Sequence, residues 1–367
     1  MKIALICPYI LSQPGGIRSH VFALQKEFGK NGHKAIVFGP RSRVPENYGS
    51  KVKLIGTGIP VNSLGTNATL SAAITPMAGW DLEKYKFDII HFHQPFAPFL
   101  PAQLLLSSPG PNVATFHSYL EEEKIPSYGE SYFSLTKNII FPKLDKLIAV
   151  SDKAAGVFKR YTKRHFDIIP NGVDLSRFHP SVKPSHKFLD GKINVLYVGR
   201  LEKRKGVDYL IEAWGKLRKV KNIRLIIVGE GPMKEELHET VRERGLRNIV
   251  FEGAISEKVL PSYYAAADIF VAPATFGESF GIVLLEAMAT GLPIVAFAND
   301  GYRNLLDNQK SYCLALNGDT KDFSNKLHTL LNDPDLRVTL GKWGRSEASK
   351  YSWDKIAGKV LQIYQSL

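Results

Sequence analysis

Twice along this chain, short continuous runs of β-branched and aliphatic residues alternate with segments whose apolar residues recur at helical spacing. The runs of the first half are Lys2–Tyr9, Lys34–Gly39, Asp88–Phe92, Val113–Phe116 and Leu147–Val150. Those of the second half are Ile193–Val198, Arg224–Val228, Ile249–Phe251, Ile269–Ala272 and Ile294–Phe297. Between the first two, Val21, Leu24 and Phe28 keep helical spacing up to an Asn31-Gly32 stop. A strand that is apolar on both sides must be covered on both sides, and parallel strands joined by crossover helices provide that cover. The pattern therefore predicts an α/β chain of two doubly wound domains. At 367 residues with 44% apolar content, the chain is long enough for two such cores. The seam is expected around Ile169-Pro170-Asn171-Gly172-Val173-Asp174 and the Pro/Lys/Ser-rich stretch from His179 to Lys187, where turn chemistry replaces periodicity. The last segment, with Trp353, Ile356, Val360, Ile363 and Tyr364, reads as an amphipathic helix.

Composition narrows the function classes. Charged residues make up 23%, and glycine plus proline only 51 positions (30 and 21), which argues against disorder or a fibrous repeat. A net charge of +13 favours anionic partners such as phosphates or acidic lipid headgroups. Two cysteines, Cys7 and Cys313, make no disulfide framework and fit a reducing cytoplasm. No secretory signal or transmembrane run of about 18 apolar residues is expected. The basic stretches Lys137–Arg164 and Lys183–Arg224 lack the interleaved stacking aromatics of a nucleic-acid surface, so no nucleic-acid partner is expected.

In doubly wound sheets, ligands bind beyond the carboxyl ends of the strands, and the chemistry-bearing residues cluster there. Gly15-Gly16 follows the first strand and opens a helix; it is either a plain turn or a place where backbone N–H groups meet an anion. It is not a G-x-G-x-x-G fingerprint, which disfavours a dehydrogenase. Arg200 ends the strand at Gly199, and Arg204-Lys205-Gly206 opens the next helix, either a solvated basic loop or a diphosphate clamp. The densest segment runs from Phe276 to Gly291: Glu278 in a loop, a helix expected from about Gly281, and Glu286 further along among apolar neighbours. A loop carboxylate can accept from sugar hydroxyls, one on the helix can hold a ribose diol, and free N–H groups at Gly281–Val283 can meet phosphate. Glu257, expected at a helix start after Phe251-Glu252-Gly253, could pair with guanine N1–H and N2–H, although an acid there also suits uridine donors. His91 and His93 alternate onto one strand face and His117 follows a neighbouring strand, but cysteine placement does not support zinc, and His91 and His93 read as hydrogen-bonded histidines near the cleft floor, so no metal is expected. Glu121-Glu122-Glu123 reads as a solvated helical face rather than a pair of glycosidase carboxylates.

Taken in order, Gly15-Gly16, Ile169–Asp174, Gly199-Arg200 with Arg204-Lys205-Gly206, Gly229-Glu230-Gly231-Pro232 and the Glu278/Glu286 pair resemble the retaining GT-B glycosyltransferases of family 4 across essentially the whole chain. Cys7-Pro8-Tyr9, Pro14-Gly15-Gly16-Ile17, Ser19-His20-Val21, Ala114-Thr115-Phe116-His117 and Gly277–Met288 look most like the phosphatidylinositol mannosyltransferases among them. The resemblance implies two Rossmann-like domains facing a cleft: an acceptor domain, 1–172, on which a helix at 352–367 packs back, and a nucleotide-sugar domain, 173–351. It implies that Gly16 meets the donor diphosphate through its backbone and that Arg200 and Lys205 neutralise the leaving nucleoside diphosphate without a metal or cofactor. Glu278 would hold the transferred sugar, Glu286 the ribose, and His117 would stand at the reaction centre. Phe280, Gly281, Ile282 and Val283 complete the implied donor site, with Glu257 at the base. Tyr9, Gln13, Arg18, Asn62, His117, Ser118 and Arg204 form the implied acceptor site.

The chain departs from that pattern at Gln13, where an acid is expected, and at Arg18, where a neutral amide is. The added cation favours a phosphorylated acceptor. The implied enzyme moves a hexose, mannose from GDP-mannose, to phosphatidylinositol or a similar acceptor, with a UDP-sugar enzyme and a nucleotide-sugar 2-epimerase as alternatives. A lipid acceptor further implies a cytoplasmic protein docked on the anionic inner face of the cell membrane, with Lys26, Lys30, Arg41, Arg43, Lys51 and Lys53 as candidate anchors.

Overall fold

The computed structural model describes residues 1–13, 15–42, 47–63, 66–71, 78–117 and 127–367. The chain divides into two compact units: Met1–Asn171 together with Trp353–Leu367, and Gly172–Ser352.

The first unit carries an eight-stranded sheet in the order β4-β3-β2-β1-β5-β6-β7-β8. Its strands are β1 (Lys2–Ile6), β2 (Lys34–Arg41), β3 (Val52–Ser63), β4 (Thr66–Ser71), β5 (Ile89–His93), β6 (Asn112–Phe116), β7 (Lys146–Ala149) and β8 (Asp167–Ile168). All pair in parallel except β4, which folds back on β3 as an antiparallel edge. Alternate residues of β1 explain why the run is apolar throughout. Ile3 and Leu5 join a core with Val21, Leu24 and Phe28 on one face, while Ala4 and Ile6 join Phe38, Phe92 and Phe116 on the other. The closing helix Trp353–Gln365 adds Ile356, Val360 and Tyr364 to the first of these cores.

The second unit carries six parallel strands in the order β11-β10-β9-β12-β13-β14. They are β9 (Ile193–Val198), β10 (Ile223–Val228), β11 (Ile249–Gly253), β12 (Ile269–Ala272), β13 (Ile294–Phe297) and β14 (Leu314–Ala315), around one continuous core. Strand order reverses at β1/β5 in the first sheet and at β9/β12 in the second, and these switch points open a crevice at the strands' carboxyl ends.

All ten expected strands form, Ile193–Val198, Ile269–Ala272 and Ile294–Phe297 with the expected ends and the other seven with shifted ones, and among the described residues four more join them. β1 stops at Ile6 rather than Tyr9 because Pro8 has no N–H for the ladder, although Cys7 N–H still reaches Phe38 O at 2.8 Å. β8 and β14 are two residues each, too short to show a period. β3 contains Gly56, Gly58 and Pro60, residues that read as strand breakers.

Two helix glycines give opposite expectations. A Cβ on Gly341, in the helix Pro334–Ala348, would stand 2.2 Å from the Gly291 carbonyl oxygen, so only glycine allows that approach. Gly341→Ala should therefore cost about 1–3 kcal/mol through overpacking. A Cβ on Gly358, in the closing helix, meets nothing within 4 Å. Gly358→Ala should gain about 0.5–1 kcal/mol by removing chain entropy from the unfolded state. Thermal melts should move down for the first variant and up for the second.

Candidate active site

In the second unit, the loops that leave β9 and β12 meet at the switch point. Gly206 makes that possible: its φ of +67° is left-handed, and a Cβ there would lie 2.0 Å from the Pro273 carbonyl oxygen. Thr275 N–H donates to Arg204 O at 3.1 Å, tying the two loops through backbone. Tyr197 Oη–H donates to Arg200 O at 3.0 Å and holds the start of the β9 loop.

These loops bring five charges together. Lys205 Nζ donates to Glu278 Oε1 at 2.5 Å, and an Arg204 terminal nitrogen reaches the same oxygen at 3.0 Å. Arg204 Nε donates to Glu202 Oε2 at 3.0 Å, and Arg200 Nε stands 3.0 Å from Glu202 Oε1. Glu202 and Glu278 are both buried, whereas Arg200 is exposed. Three cations against two carboxylates leave the cluster one positive charge in excess, at a place where a diphosphate would bring negative charge.

Beyond it, Phe280 is buried and Gly281, at φ +92°, caps the helix Ile282–Thr290; a Cβ on Gly281 would press 2.8 Å into the Tyr302 ring. Glu286 lies half-buried on this helix and accepts from Tyr264 Oη–H at 2.8 Å. Burial pushes its carboxyl up to about 7, against the opposing pull of the Tyr264 hydroxyl and the Arg177 charge.

In the first unit, the helix Gly16–Lys30 starts directly after Gly15, whose extended backbone precedes a first turn free of acids. Gly16 is exposed, so its end of the helix dipole faces solvent. The same unit holds a cluster of buried histidines. His91 is held between Tyr364 Oη (2.6 Å) and Thr115 Oγ1 (2.7 Å). His93 Nδ1 and His117 Nε2 are hydrogen-bonded at 2.9 Å, and the His117 backbone N–H donates to Gln94 Oε1 at 2.9 Å. His20 packs edge-on against His117 at 4.7 Å between ring centroids, and its Nδ1 lies 2.8 Å from Asn171 Oδ1. Burial lowers the pKa of all four, to about 4 for His20 and about 3 for His91, so all are neutral at pH 7.

Residues 180–347 match the model of the glycosyl transferases group 1, and residues 14–177 that of Glycosyltransferase Family 4. The chain is 32% identical to a phosphatidyl-myo-inositol mannosyltransferase of Mycobacterium leprae, covering 100% of this chain and 97% of the relative. This chain belongs to the family 4 glycosyltransferases. Its architecture is the GT-B fold, as two solved structures also bear out. A sucrose-phosphate synthase from Thermosynechococcus elongatus superposes with a TM-score of 0.79 at 23% identity, covering 100% of this chain and 98% of that one. Anabaena HepE in complex with UDP and glucose gives 0.80 at 21%, covering 100% of both.

The fold gathers Arg200, Arg204, Lys205 and Glu278 into one cluster, so Arg204, expected among the acceptor residues, stands beside Glu278. Glu257 needs a correction. It is exposed in the turn ahead of the helix Leu260–Ala265 rather than at its start, because Pro261 fits the first turn and the chain enters the helix only at Leu260. Tyr9 is half-buried, Gln13 is exposed, and Arg18 turns its Nε back onto Leu11 O at 2.5 Å. Asn62 pairs through its backbone register with Asn67 in the β3–β4 hairpin. The Asn62 side chain, Arg43, Ser118 and Glu121-Glu122-Glu123 lie outside the described residues.

Sequence reasoning missed Glu202, His20 and Tyr264. An acid between Arg200 and Arg204 was a usable signal for the first. His20 keeps the helical spacing of Val21, Leu24 and Phe28, which marks it as facing the core. Nothing local marked Tyr264, 22 residues from Glu286.

Tyr264→Phe removes a donor that favours ionised Glu286. The carboxyl should then titrate above about 7, readable as an upward shift of its carbon resonance midpoint in labelled protein; an unchanged or lower midpoint would refute the pairing.

Proposed function

We propose that this glycosyltransferase moves mannose, with retention, from GDP-mannose to a phosphorylated lipid acceptor of the phosphatidylinositol class. The observation that carries the reading is the cluster of Arg200, Arg204 and Lys205 around Glu278 and Glu202 at the switch point of the second sheet. The full-length likeness to a phosphatidyl-myo-inositol mannosyltransferase supports the acceptor class. As the bond between the sugar C1 and the diphosphate oxygen breaks, its electron pair goes to that oxygen and positive character grows at C1. The acceptor hydroxyl oxygen then bonds C1 and passes its proton to the departing diphosphate oxygen, and the configuration of the donor is kept. Arg200 and Lys205 stabilise the departing diphosphate more as its charge grows, which is the condition for lowering the barrier. They supply that charge without a metal at the phosphates. Glu278 accepts from hydroxyls of the transferred hexose, Glu286 from the ribose, and Gly281–Val283 offer backbone N–H groups. Gly16 turns its backbone to the diphosphate, and His117, with Tyr9 and Arg18, faces the acceptor.

Incubation with radiolabelled GDP-mannose and vesicles containing phosphatidylinositol should move label into the lipid phase with the α configuration. Label arriving only from UDP-sugars, or only in soluble product, would replace the donor or the acceptor. Lys205→Ala should lower turnover by about 10²–10³-fold, the cost of one lost contact to developing charge. Glu286→Ala should weaken binding of free nucleoside diphosphate in calorimetry, whereas Glu278→Gln should leave it and impair transfer. Equal losses from both would refute the division of roles.

A lipid acceptor calls for docking at the bilayer surface. Among the described residues, no helix is long and apolar enough to cross a membrane. Lysines and arginines such as Lys26, Lys30, Arg41, Lys51 and Lys53 contribute roughly 1 kcal/mol each near an anionic leaflet. Flotation with anionic vesicles should be strong at low salt and weaken at moderate salt; absence of flotation at low salt would remove the membrane from the reading.

A further inference from the structure

Within the first unit, His20, His93 and His117 converge although 73 residues separate the first from the second and 24 the second from the third. One ring nitrogen from each lies within 4.8 Å of the other two. All three side chains are buried, at 2%, 0% and 7% exposure, so among them His117 lies nearest to solvent. Two of their nitrogens, His20 Nε2 and His93 Nε2, are buried without any hydrogen-bond partner, a cost that a folded protein normally avoids.

The tautomer of His20 explains what its orphan atom offers. Asn171 Oδ1 is an acceptor, so His20 Nδ1 carries the hydrogen and donates it, and Nε2 keeps its lone pair. A histidine that donates one ring N–H to a carbonyl oxygen while presenting the other nitrogen's lone pair is the arrangement by which proteins orient imidazole ligands toward a metal. Among the described residues no carboxylate joins the three, so the donor set is all nitrogen. That set suits zinc, cobalt, nickel or copper and not the oxygen-seeking magnesium or calcium.

We propose that His20, His93 and His117 form a binding site for a divalent transition-metal ion of the zinc class, with a water as the fourth ligand on the His117 side. Zinc–nitrogen bonds of about 2.0–2.1 Å place tetrahedral ligand atoms about 3.3 Å apart, so the cage contracts when it takes up the ion. The ion occupies a ring nitrogen of His117. Given the role proposed above for His117, which this consequence rests on, the metal acts as a reversible inhibitor of transfer and not as a cofactor.

Binding is tested without any nucleotide or lipid. Metal-free full-length protein titrated with zinc chloride in a calorimeter should take up one ion per chain, and cobalt should give the visible absorption of a tetrahedral nitrogen-ligated ion. His20→Gln and His93→Gln should each lose the cobalt spectrum and weaken zinc uptake at least tenfold, while His91→Gln should retain both. Because buried substitutions can unfold the unit, the wild-type protein supplies a second reading: zinc should shift the ring-nitrogen resonances of these three histidines and leave His91 bonded as before. No uptake by the wild-type protein would overturn the proposal and leave the two orphan nitrogens to an internal water. Uptake unchanged in folded His20→Gln, or a wild-type spectrum that shifts only exposed histidines, would equally overturn it. In the transfer assay, zinc should slow wild-type turnover and a chelator should restore it. Metal uptake without inhibition would keep the site and remove His117 from the reaction centre.

Discussion

Within each sheet, apart from one edge strand of the first, the described strands run parallel to one another, and that constraint decides where everything else can be. A parallel neighbour cannot be reached by a tight turn, so each connection must cross the sheet, and the crossovers bury both faces. Each strand then ends beside the start of a loop on the same edge of the sheet. At a switch point the two central loops leave in opposite directions and open a crevice. The residues that bear chemistry have no other common place to meet.

In the second unit that meeting is electrostatic. Lys205 and Arg204 converge on one oxygen of Glu278, and Glu202 takes the other side of Arg204 and the Nε of Arg200. Buried carboxylates without such partners would be costly, and the partners are rigidly spaced by the glycine contact between Gly206 and Pro273. The cluster is therefore both a means of holding the two loops together and a store of excess positive charge. In the first unit the buried histidine cluster is uncharged: four imidazoles satisfy one another, two hydroxyls, and an amide, and leave two nitrogens without partners. One sheet thus presents cations and the other uncharged nitrogen donors.

Much of this is legible in the order of residues alone. The ten apolar runs all form parallel strands, because a strand covered on both faces carries its own signature in consecutive residues. Arg200, Arg204, Lys205, Glu278 and Glu286 stand out because each lies within a few residues of a strand's carboxyl end, or on the helix that follows. Strands of two residues, and β3 with its glycines and proline, carry no such signature. The helix after Glu257 begins later than its sequence suggests because Pro261 governs the start from four residues downstream.

What the sequence determined by itself is local: alternation of strand and helix, a chain of two doubly wound units, and loops in which glycine, cations and carboxylates stand at strand ends. These follow from periodicity and turn chemistry, which act over fewer than about ten residues. Only the tertiary structure decided which charges pair and which histidines touch. Lys205 and Glu278 are 73 residues apart, His20 and Asn171 are 151 apart, and His91 and Tyr364 are 273 apart. Such pairings depend on the order in which strands assemble within a sheet, and strand order leaves no trace in the spacing of neighbouring residues.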